Sequence, residues 1–333
     1  MPRTLGAAYD PGVSDFSIRP VTLDDAVALQ EVQAAAELVD RTGEHYSVAD
    51  VVEELENPMI DLAHDWLLVE RGGQVVAHFM LTPRPPADGA LSVDVHGSVH
   101  PDHRRQGISS QVVPLLVSRA REFVRERGAD LRPVITASAI SENTDIAEIF
   151  EGQGLLPHRW TFLMEADLSA PSTSSAALPD GYELSTWEGV DHEEMRHTHN
   201  HAFVGHPGFS PWSPEMWSHR VADTHNSRPE LSLIARDETG AVAAYLQTSE
   251  FDATFEATGK RDAFVSKLGT VNAHRRRGLA GALLRIALHR YRQAGFDKST
   301  LDVDSENPTG ALGIYEKAGF RTTTRWTNFR LVT

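Results

Sequence analysis

At 333 residues the chain exceeds what one hydrophobic core ordinarily supports, so two domains of about 150 residues each are expected. The composition, 41% apolar with no apolar run long enough to span a bilayer, points to a packed soluble protein with no membrane partner, and zero cysteines exclude disulfides and thiolate chemistry. A net charge of −16 argues against nucleic acid or anionic lipid as partner, fits a cytoplasmic protein whose chemistry uses oxygen and nitrogen groups, and favours a cationic acceptor such as an amine.

Residues 1–16 lack the apolar core of an export signal and read as a flexible tail. SIRPVT at 17–22 reads as a strand, and DDAVALQEVQAAAELV as a helix capped by Asp24. DWLLVERGGQVVAHFMLTP at 65–83 predicts a hairpin turning at Gly72 and Gly73, and LSVDVHGSV a strand that runs into DHRRQGISSQVV at 102–113. Pro114 falls inside the helix expected next, where it removes a backbone donor. Asn143 and EIFEGQGL at 148–155 follow, with Phe150 on a short helix. LSAPSTSSAALPDG at 168–181 has the Ser, Pro and Ala content of a linker.

Beyond the linker the order repeats. YELSTW predicts a strand, DHEEMRHTHNHAF a helix, LSLIARDETGAVAAYLQTS a hairpin turning at Thr239 and Gly240, and AFVSKLGTV a strand entering AHRRRGLAGALL at 273–284. GIYEKAGF at 313–320 aligns with EIFEGQGL, placing Tyr315 opposite Phe150. The arginine motifs lie 171 residues apart, Asn143 and Asn307 164, and Phe150 and Tyr315 165. Near-constant spacing of three features predicts a duplicated domain, the copies spanning 17–167 and 182–333. Each is expected to be a mixed α/β (α+β) unit with mostly hairpin-joined, antiparallel strands.

The strand, tight turn and helix around residues 268–281 suit a pyrophosphate. Arg275, Arg276 and Arg277 bring charge, Gly278 lets a ligand approach the backbone, and the free N–H groups from Leu279 attract phosphate oxygens. Small Ala280 and Gly281 clear the next turn. The sequence has neither the Gly-Lys-Ser/Thr of a P-loop nor the G-x-G-x-x-G of a dinucleotide turn there. About thirty residues on, TLDVDSENPTGALGIYEKAGF predicts a strand, an Asn-Pro break, a short helix with Tyr315, and a glycine turn.

These residues resemble the GNAT acyltransferase superfamily, and NHAFVGHPGFSPWSPEMW at 200–217 is similar to the actinobacterial, mycothiol synthase-like tandem members. The resemblance implies two tandem GNAT domains, each a mixed, mostly antiparallel sheet flanked by helices. It implies acetyl-CoA as cosubstrate, its pyrophosphate on the R-x-x-G-x-A turn, Asn307 near the cofactor, and Tyr315 near its sulfur as general acid. Backbone groups of Leu268, Gly269, Thr270 and Val271 would hold the pantetheine and polarise the thioester carbonyl. In the first copy Val99, Arg104, Arg105, Gln106, Gly107, Ile108, Ser109, Ser110 and Asn143 form a second turn that can bind the cofactor. Phe150 cannot donate a proton, so catalysis is assigned to the second copy.

The base stays open among Glu250, Asp304 and Glu306, or an amine that arrives neutral. His197 and His201 stand one helical turn apart, but no third ligand is evident, and no metal is expected. His206, Phe209 and Trp212, with Trp217 nearby, either enclose the acceptor or pack the domain interface. The expected function is an acetyl-CoA-dependent N-acetyltransferase acting on a small primary amine, as a monomer or homodimer. The alternatives are a CoA-binding regulatory or scaffold protein and a transferase of larger acyl groups.

Overall fold

The computed structural model describes residues 15–127, 130–169, 177–206, 208–306 and 310–332. In chain order the first half holds β1 (Ser17–Pro20), α1 (Ala26–Asp40), α2 (Val48–Leu55), α3 (Leu62–Asp65), β2 (Trp66–Arg71), β3 (Gln74–Pro83), β4 (Ala90–Val99), α4 (Ile108–Arg127), β5 (Arg132–Ile140), α5 (Thr144–Gly152) and β6 (Leu156–Asp167). The second holds β7 (Tyr182–Thr186), α6 (His192–Phe203), α7 (Pro214–Trp217), β8 (Leu233–Asp237), β9 (Val242–Ser249), α8 (Asp252–Thr258), β10 (Asp262–Thr270), α9 (Leu279–Gln293), β11 (Lys298–Asp304), α10 (Ala311–Ala318) and β12 (Arg321–Val332).

The chain divides into two compact units, one running to Arg159 and resuming at Trp326, the other spanning Trp160–Arg325. In the first, the strand order is β1-β2-β3-β4-β5 and then β12, whose Trp326–Val332 pair antiparallel with β5. In the second it is β7-β8-β9-β10-β11 and then β6, whose Thr161–Asp167 pair antiparallel with β11. Each unit therefore completes its sheet with a strand from the other half of the sequence. The expected limits 17–167 and 182–333 differ from these units by that exchange, and residues 170–176 of the expected linker lie outside the described residues.

Within each unit one strand pair is parallel, β4 with β5 and β10 with β11, and the other strand pairings are antiparallel. One long helix covers one face. Leu279, Leu283 and Ile286 of α9 are buried with Ala263 and Val265 of β10, while Arg285 and His289 are exposed, as the helical periodicity predicts. In the first unit α4 runs on through Pro114 and buries Val112, Leu116 and Ala120 against β3 and β4. Helices α1 and α2, or α6 and α7, cover the opposite faces.

One expected cap is corrected. The entry to α1 is organised by Thr22 and Asp25 rather than Asp24: the N–H and hydroxyl of Thr22 both donate to the Asp25 carboxylate at 2.8 Å. Arg19 donates to the same carboxylate, which its hydrogen bond and charge hold below the usual aspartate range against the opposing effect of burial. Among the described residues no helix is long and apolar enough to cross a membrane.

Candidate active site

Both arginine-glycine turns have the same backbone. A single 3-10 turn, Pro101–His103 or Asn272–His274, leads into Arg105 or Arg276 at φ near +60°, and Gly107 or Gly278 follows at φ +83° or +80°. Among the described residues nothing lies within 4 Å of a Cβ added at Gly278, so its conformation, rather than space, favours glycine there. The duplicated motif thus preserves a shape.

The arginines divide their tasks in a way the motif does not reveal. Arg275 Nε donates to the Thr270 carbonyl at 3.3 Å and its Nη2 to the Ala202 carbonyl at 2.6 Å. Arg104 bonds the equivalent Val99 carbonyl at 3.0 Å and forms a bidentate pair with Asp40 at 2.6 and 2.7 Å. The first arginine of each motif therefore braces the strand end instead of presenting charge to a phosphate. Arg277 donates to the Tyr182 hydroxyl at 3.1 Å, which in turn contacts His274 Nδ1 at 2.9 Å. Arg276 is exposed, with no carboxylate partner among the described residues. In the first unit Arg105 is paired with Asp145 at 2.7 Å, and Gln106 is held by Arg71 and the Asp102 carbonyl. An exposed pair of this kind contributes at most about 1 kcal/mol, so it weakens the first turn without closing it.

Leu279 and Ile108 are core residues, 1% and 2% exposed, and only their backbones can serve a ligand. Ala280 and Ser109 are partly exposed and Ser110 exposed. A Cβ on Gly281 would lie 3.8 Å from Ile314 of α10, so this small residue also lets α9 and α10 approach. Asn143 caps α5, accepting from the Ile146 N–H at 3.4 Å; Asn307 lies outside the described residues.

The two units differ most where their parallel strands part. β10 and β11 are paired only over Asp262–Phe264 and Lys298–Thr300, and the β9–β10 register shifts by a bulge between Val265 and Lys267. Among the described residues the edge of β10 toward β11 has no strand partner from Val265 to Thr270, including Leu268, Gly269 and Thr270; Val271 N–H is taken by the Ala243 carbonyl. A pantetheine arm can add to such an edge as a strand would, through its amides. In the first unit β4 and β5 stay paired through Val95 and Ala137, and β3–β4 is unshifted. There the cleft opens later and without a bulge to re-aim side chains.

Tyr315 and Phe150 occupy equivalent places. Each carbonyl, at the end of its short helix, accepts from the N–H five residues on, Phe320 at 3.1 Å and Leu155 at 3.0 Å. Phe150 packs on Phe329 with ring centroids 5.4 Å apart, deep in an apolar cluster. Tyr315 lies in the cluster that holds Val265 and Val303, and burial pushes its phenol up to about 12, which keeps it protonated.

The aromatics of α6, α7 and the loop between them surround a residue the sequence did not single out. His199 of α6 is 3% exposed, and its ring lies 4.5 Å from Trp212, 4.7 Å from Phe203, 5.5 Å from Trp217 and 5.7 Å from Phe209. Its Nδ1 is 2.6 Å from the Tyr245 hydroxyl, and burial, with the nearby Lys267, pushes the imidazole down to about 3. Trp217 is a core residue, whereas Phe209 and Trp212 are partly exposed. His206 packs on Phe203 at 5.1 Å, and burial, then Arg275, lowers its pKa. The period-three-to-four spacing of Met195, His199 and Ala202 was the available signal that His199 faces inward.

The base candidates fare unequally. Glu250 is clamped by Arg261 at 2.8 Å and Arg228 at 3.1 Å; burial alone would raise its pKa, but these two guanidiniums hold it below the usual range. It follows Ser249, the last residue of β9, which pairs with Phe264 at the end of β10 away from the turn. Asp304 accepts from the Glu306 N–H at 2.9 Å in a local turn, and Glu306 is exposed. Asp302, not considered from sequence, lies between buried Leu301 and Val303 and faces away from them, two residues past the last β10–β11 pair. It is open to solvent yet walled by enough protein that burial raises it to about 6. His197 pairs with Glu193 at 3.0 Å, and among the described residues no three metal-ligating side chains converge.

A tandem arrangement of two mixed sheets, each with a glycine turn at a helix start and a parting parallel pair, defines an acyl-CoA transferase architecture. The family model for the acetyltransferase (GNAT) family matches residues 32–134 and 192–320, and the chain belongs to that family of transferase enzymes, which use acetyl-CoA. Its relatives include a mycothiol acetyltransferase of Segniliparus rotundus, 28% identical over 72% of this chain and 84% of that one. Another, from Mycolicibacterium vanbaalenii, is 26% identical over 90% and 94%. Among solved structures, a GCN5-related N-acetyltransferase from Sphaerobacter thermophilus superposes with a TM-score of 0.75 over 96% of both chains at 24% identity. A tandem GNAT protein from the clavulanic acid biosynthesis pathway gives 0.67 over 95% and 98% at 21%.

Proposed function

We propose that the chain is an acetyl-CoA-dependent N-acetyltransferase of small primary amines, with its chemistry in the second unit. The observation that carries this is the early parting of β10 from β11 in a unit that also keeps the glycine turn and a protonated Tyr315. Arg276, the Gly278 turn and the backbone from Leu279 would hold the pyrophosphate, and the unpaired edge of β10 the pantetheine. Acetyl-CoA supplies an activated thioester carbonyl.

The residues of the chain supply the proton traffic. Asp302, ionised above about pH 6, takes a proton from the acceptor ammonium so that a neutral amine can attack. Tyr315, raised by burial, gives its proton to the departing thiolate. The names of the relatives favour a more specific reading, acetyl transfer to a mycothiol-type acceptor, supported by the 94% cover of the Mycolicibacterium vanbaalenii protein.

The test is release of free CoA across a panel of small amines, a mycothiol-type amine among them, with acetyl-CoA and with longer acyl-CoA donors. Tyr315→Phe should lower kcat by about 10²- to 10⁴-fold while acetyl-CoA binds with unchanged affinity. Undiminished turnover in that variant would remove the acid assignment, and tight acetyl-CoA binding without turnover of any amine would remove the acceptor class.

A further inference from the structure

The bulge of β10 carries an amine for which the reaction above has no use. Of the 31 lysines and arginines only Lys260, Lys267, Lys298 and Lys317 are lysines, and all four belong to the second unit. Lys260 and Lys317 are exposed. Lys298 is held by Glu165 at 3.1 Å and Asp262 at 3.4 Å; burial alone would lower its pKa, but Asp262 and then Glu165 raise it. Lys267 differs from all three. It is half-buried, makes no ion pair or hydrogen bond with any described residue, and has its Nζ 5.2 Å from the centroid of the Trp212 ring. Burial, then the charge of Arg220, pushes its ammonium down to about 8, which leaves about one-tenth of it neutral at pH 7.

Its place on the strand brings that amine to where an acyl group would be carried. The glycine turn follows the C-terminal end of β10, and an arm anchored there and laid back along the unpaired edge points its far end toward Phe264 and Thr300, where the two strands are joined again. Lys267 stands three residues short of that closure, at the bulge, which re-aims side chains. It shares a sheet face with Gly269, because their partners Gln247 and Tyr245 lie on one face of β9. Tyr245 bonds His199 of α6, so Lys267 leaves the sheet on the face opposite α9, beside the loop that holds Trp212.

We propose that Lys267 is a self-acetylation site: when no acceptor amine is present, its Nζ takes the acetyl group of bound acetyl-CoA. This rests on the transferase reading for the position of the thioester, and on the setting of the amine for its reactivity. The ammonium first gives one proton to solvent. The Nζ lone pair then forms the C–N bond to the acetyl carbonyl, the C–S bond breaks with its electron pair on sulfur, and the proton shed by the nitrogen ends on that sulfur. The products are an amide on Lys267 and free CoA. An arginine in this place would stay charged and could not react. Acetylation removes the cation from the Trp212 ring and turns this part of the wall neutral.

The test incubates the full chain with acetyl-CoA and no amine, reads acetylation at each lysine by peptide mass spectrometry, and measures acetyl-CoA binding separately by calorimetry. Lys267 should be acetylated at least about tenfold faster than exposed Lys260 and Lys317, since an amine held beside the thioester reacts at high effective molarity. Excess free CoA should slow the reaction at Lys267 and leave Lys260 unchanged, and the preference for Lys267 should vanish in the urea-unfolded chain. Lys267→Arg should bind acetyl-CoA and lose only the modification at this position. An unmodified Lys267 in a chain that binds acetyl-CoA, a rate no higher than at Lys260, or a rate indifferent to CoA would overturn the proposal. Acetylation of Lys267 without turnover of any amine would leave the proposal standing and count against the N-acetyltransferase reading, whereas failure to bind acetyl-CoA would overturn both.

Discussion

Replacing Gly269 by alanine tests how the cleft wall is built. On β10 its Cα faces Tyr245 of β9 across the ladder, and an added Cβ would lie 2.5, 2.6 and 2.8 Å from Cε1, Cζ and Oη of that ring. All three fall below the separation at which two such atoms can coexist, so something must move. Tyr245 has nowhere to go: it is 0% exposed, its ring is 5.8 Å from Trp187, and its hydroxyl is tied to His199 at 2.6 Å. Overpacking a rigid core costs about 1–3 kcal/mol, and losing a buried hydrogen bond about 1–3 more. Gly269→Ala should therefore destabilise the second unit by about 2–6 kcal/mol. Urea unfolding followed by tryptophan emission reads it, because Trp187, Trp212 and Trp217 lie around the affected ring. Adding Tyr245→Leu should recover part of the loss by freeing the space. A shift below about 0.5 kcal/mol in Gly269→Ala, or no recovery in the double variant, would refute the claim that this glycine exists for the tyrosine.

Three other outcomes follow from the site. Asp302→Asn should lower kcat by about a hundredfold, and the acid limb of the wild-type kcat profile, where activity falls as pH drops through about 6, should disappear in steady-state assays between pH 5 and 9. Arg276→Ala should raise KM for acetyl-CoA about tenfold through one lost charge-assisted contact, whereas Arg275→Ala should mainly lower the unfolding midpoint, since its bonds are to protein carbonyls. Because the folded state lowers the pKa of Glu250, its contribution is complete above the ordinary glutamate value of 4.5 and is lost as pH falls through the lower folded value. Glu250→Gln should accordingly cost about 1–3 kcal/mol near neutrality, after allowance for the partly exposed arginines, and the gap to wild type should close in acid denaturation.

Much of this architecture could be read locally. The hairpins at Gly72–Gly73 and Thr239–Gly240, the amphipathic run of α9 and the repeated turn follow from spacing and turn chemistry, which act over a few residues. Which sheet a strand joins is decided by contacts far along the chain, so nothing in LPHRWTFLMEAD or RTTTRWTNFRLV announces their exchange. The bulge at Val265–Lys267 was equally silent, and with it the placement of Lys267. Asp302 was visible as the polar member of an alternating strand, but alternation says only that it leaves the core, not that burial raises its pKa to about 6. His199 was hidden among six other histidines from position 192 to 225, and only its neighbours distinguish it. The roles of the three arginines needed partners from Ala202 and Tyr182, distant in sequence.

The strand taken from the other half of the sequence sets a timetable for synthesis. When a ribosome has made β5, the segment that closes its free edge, Trp326–Val332, still lies beyond the whole of Trp160–Arg325. At translation speeds of about 5–20 residues per second the nascent first unit waits roughly ten to forty seconds with an unpaired strand edge. Such an edge is a template for joining a neighbouring chain, so crowded polysomes are where this protein is most exposed to misassembly. The same arrangement means that a nick in the connecting segment would leave two fragments threaded through each other's sheets, held together without a covalent bond.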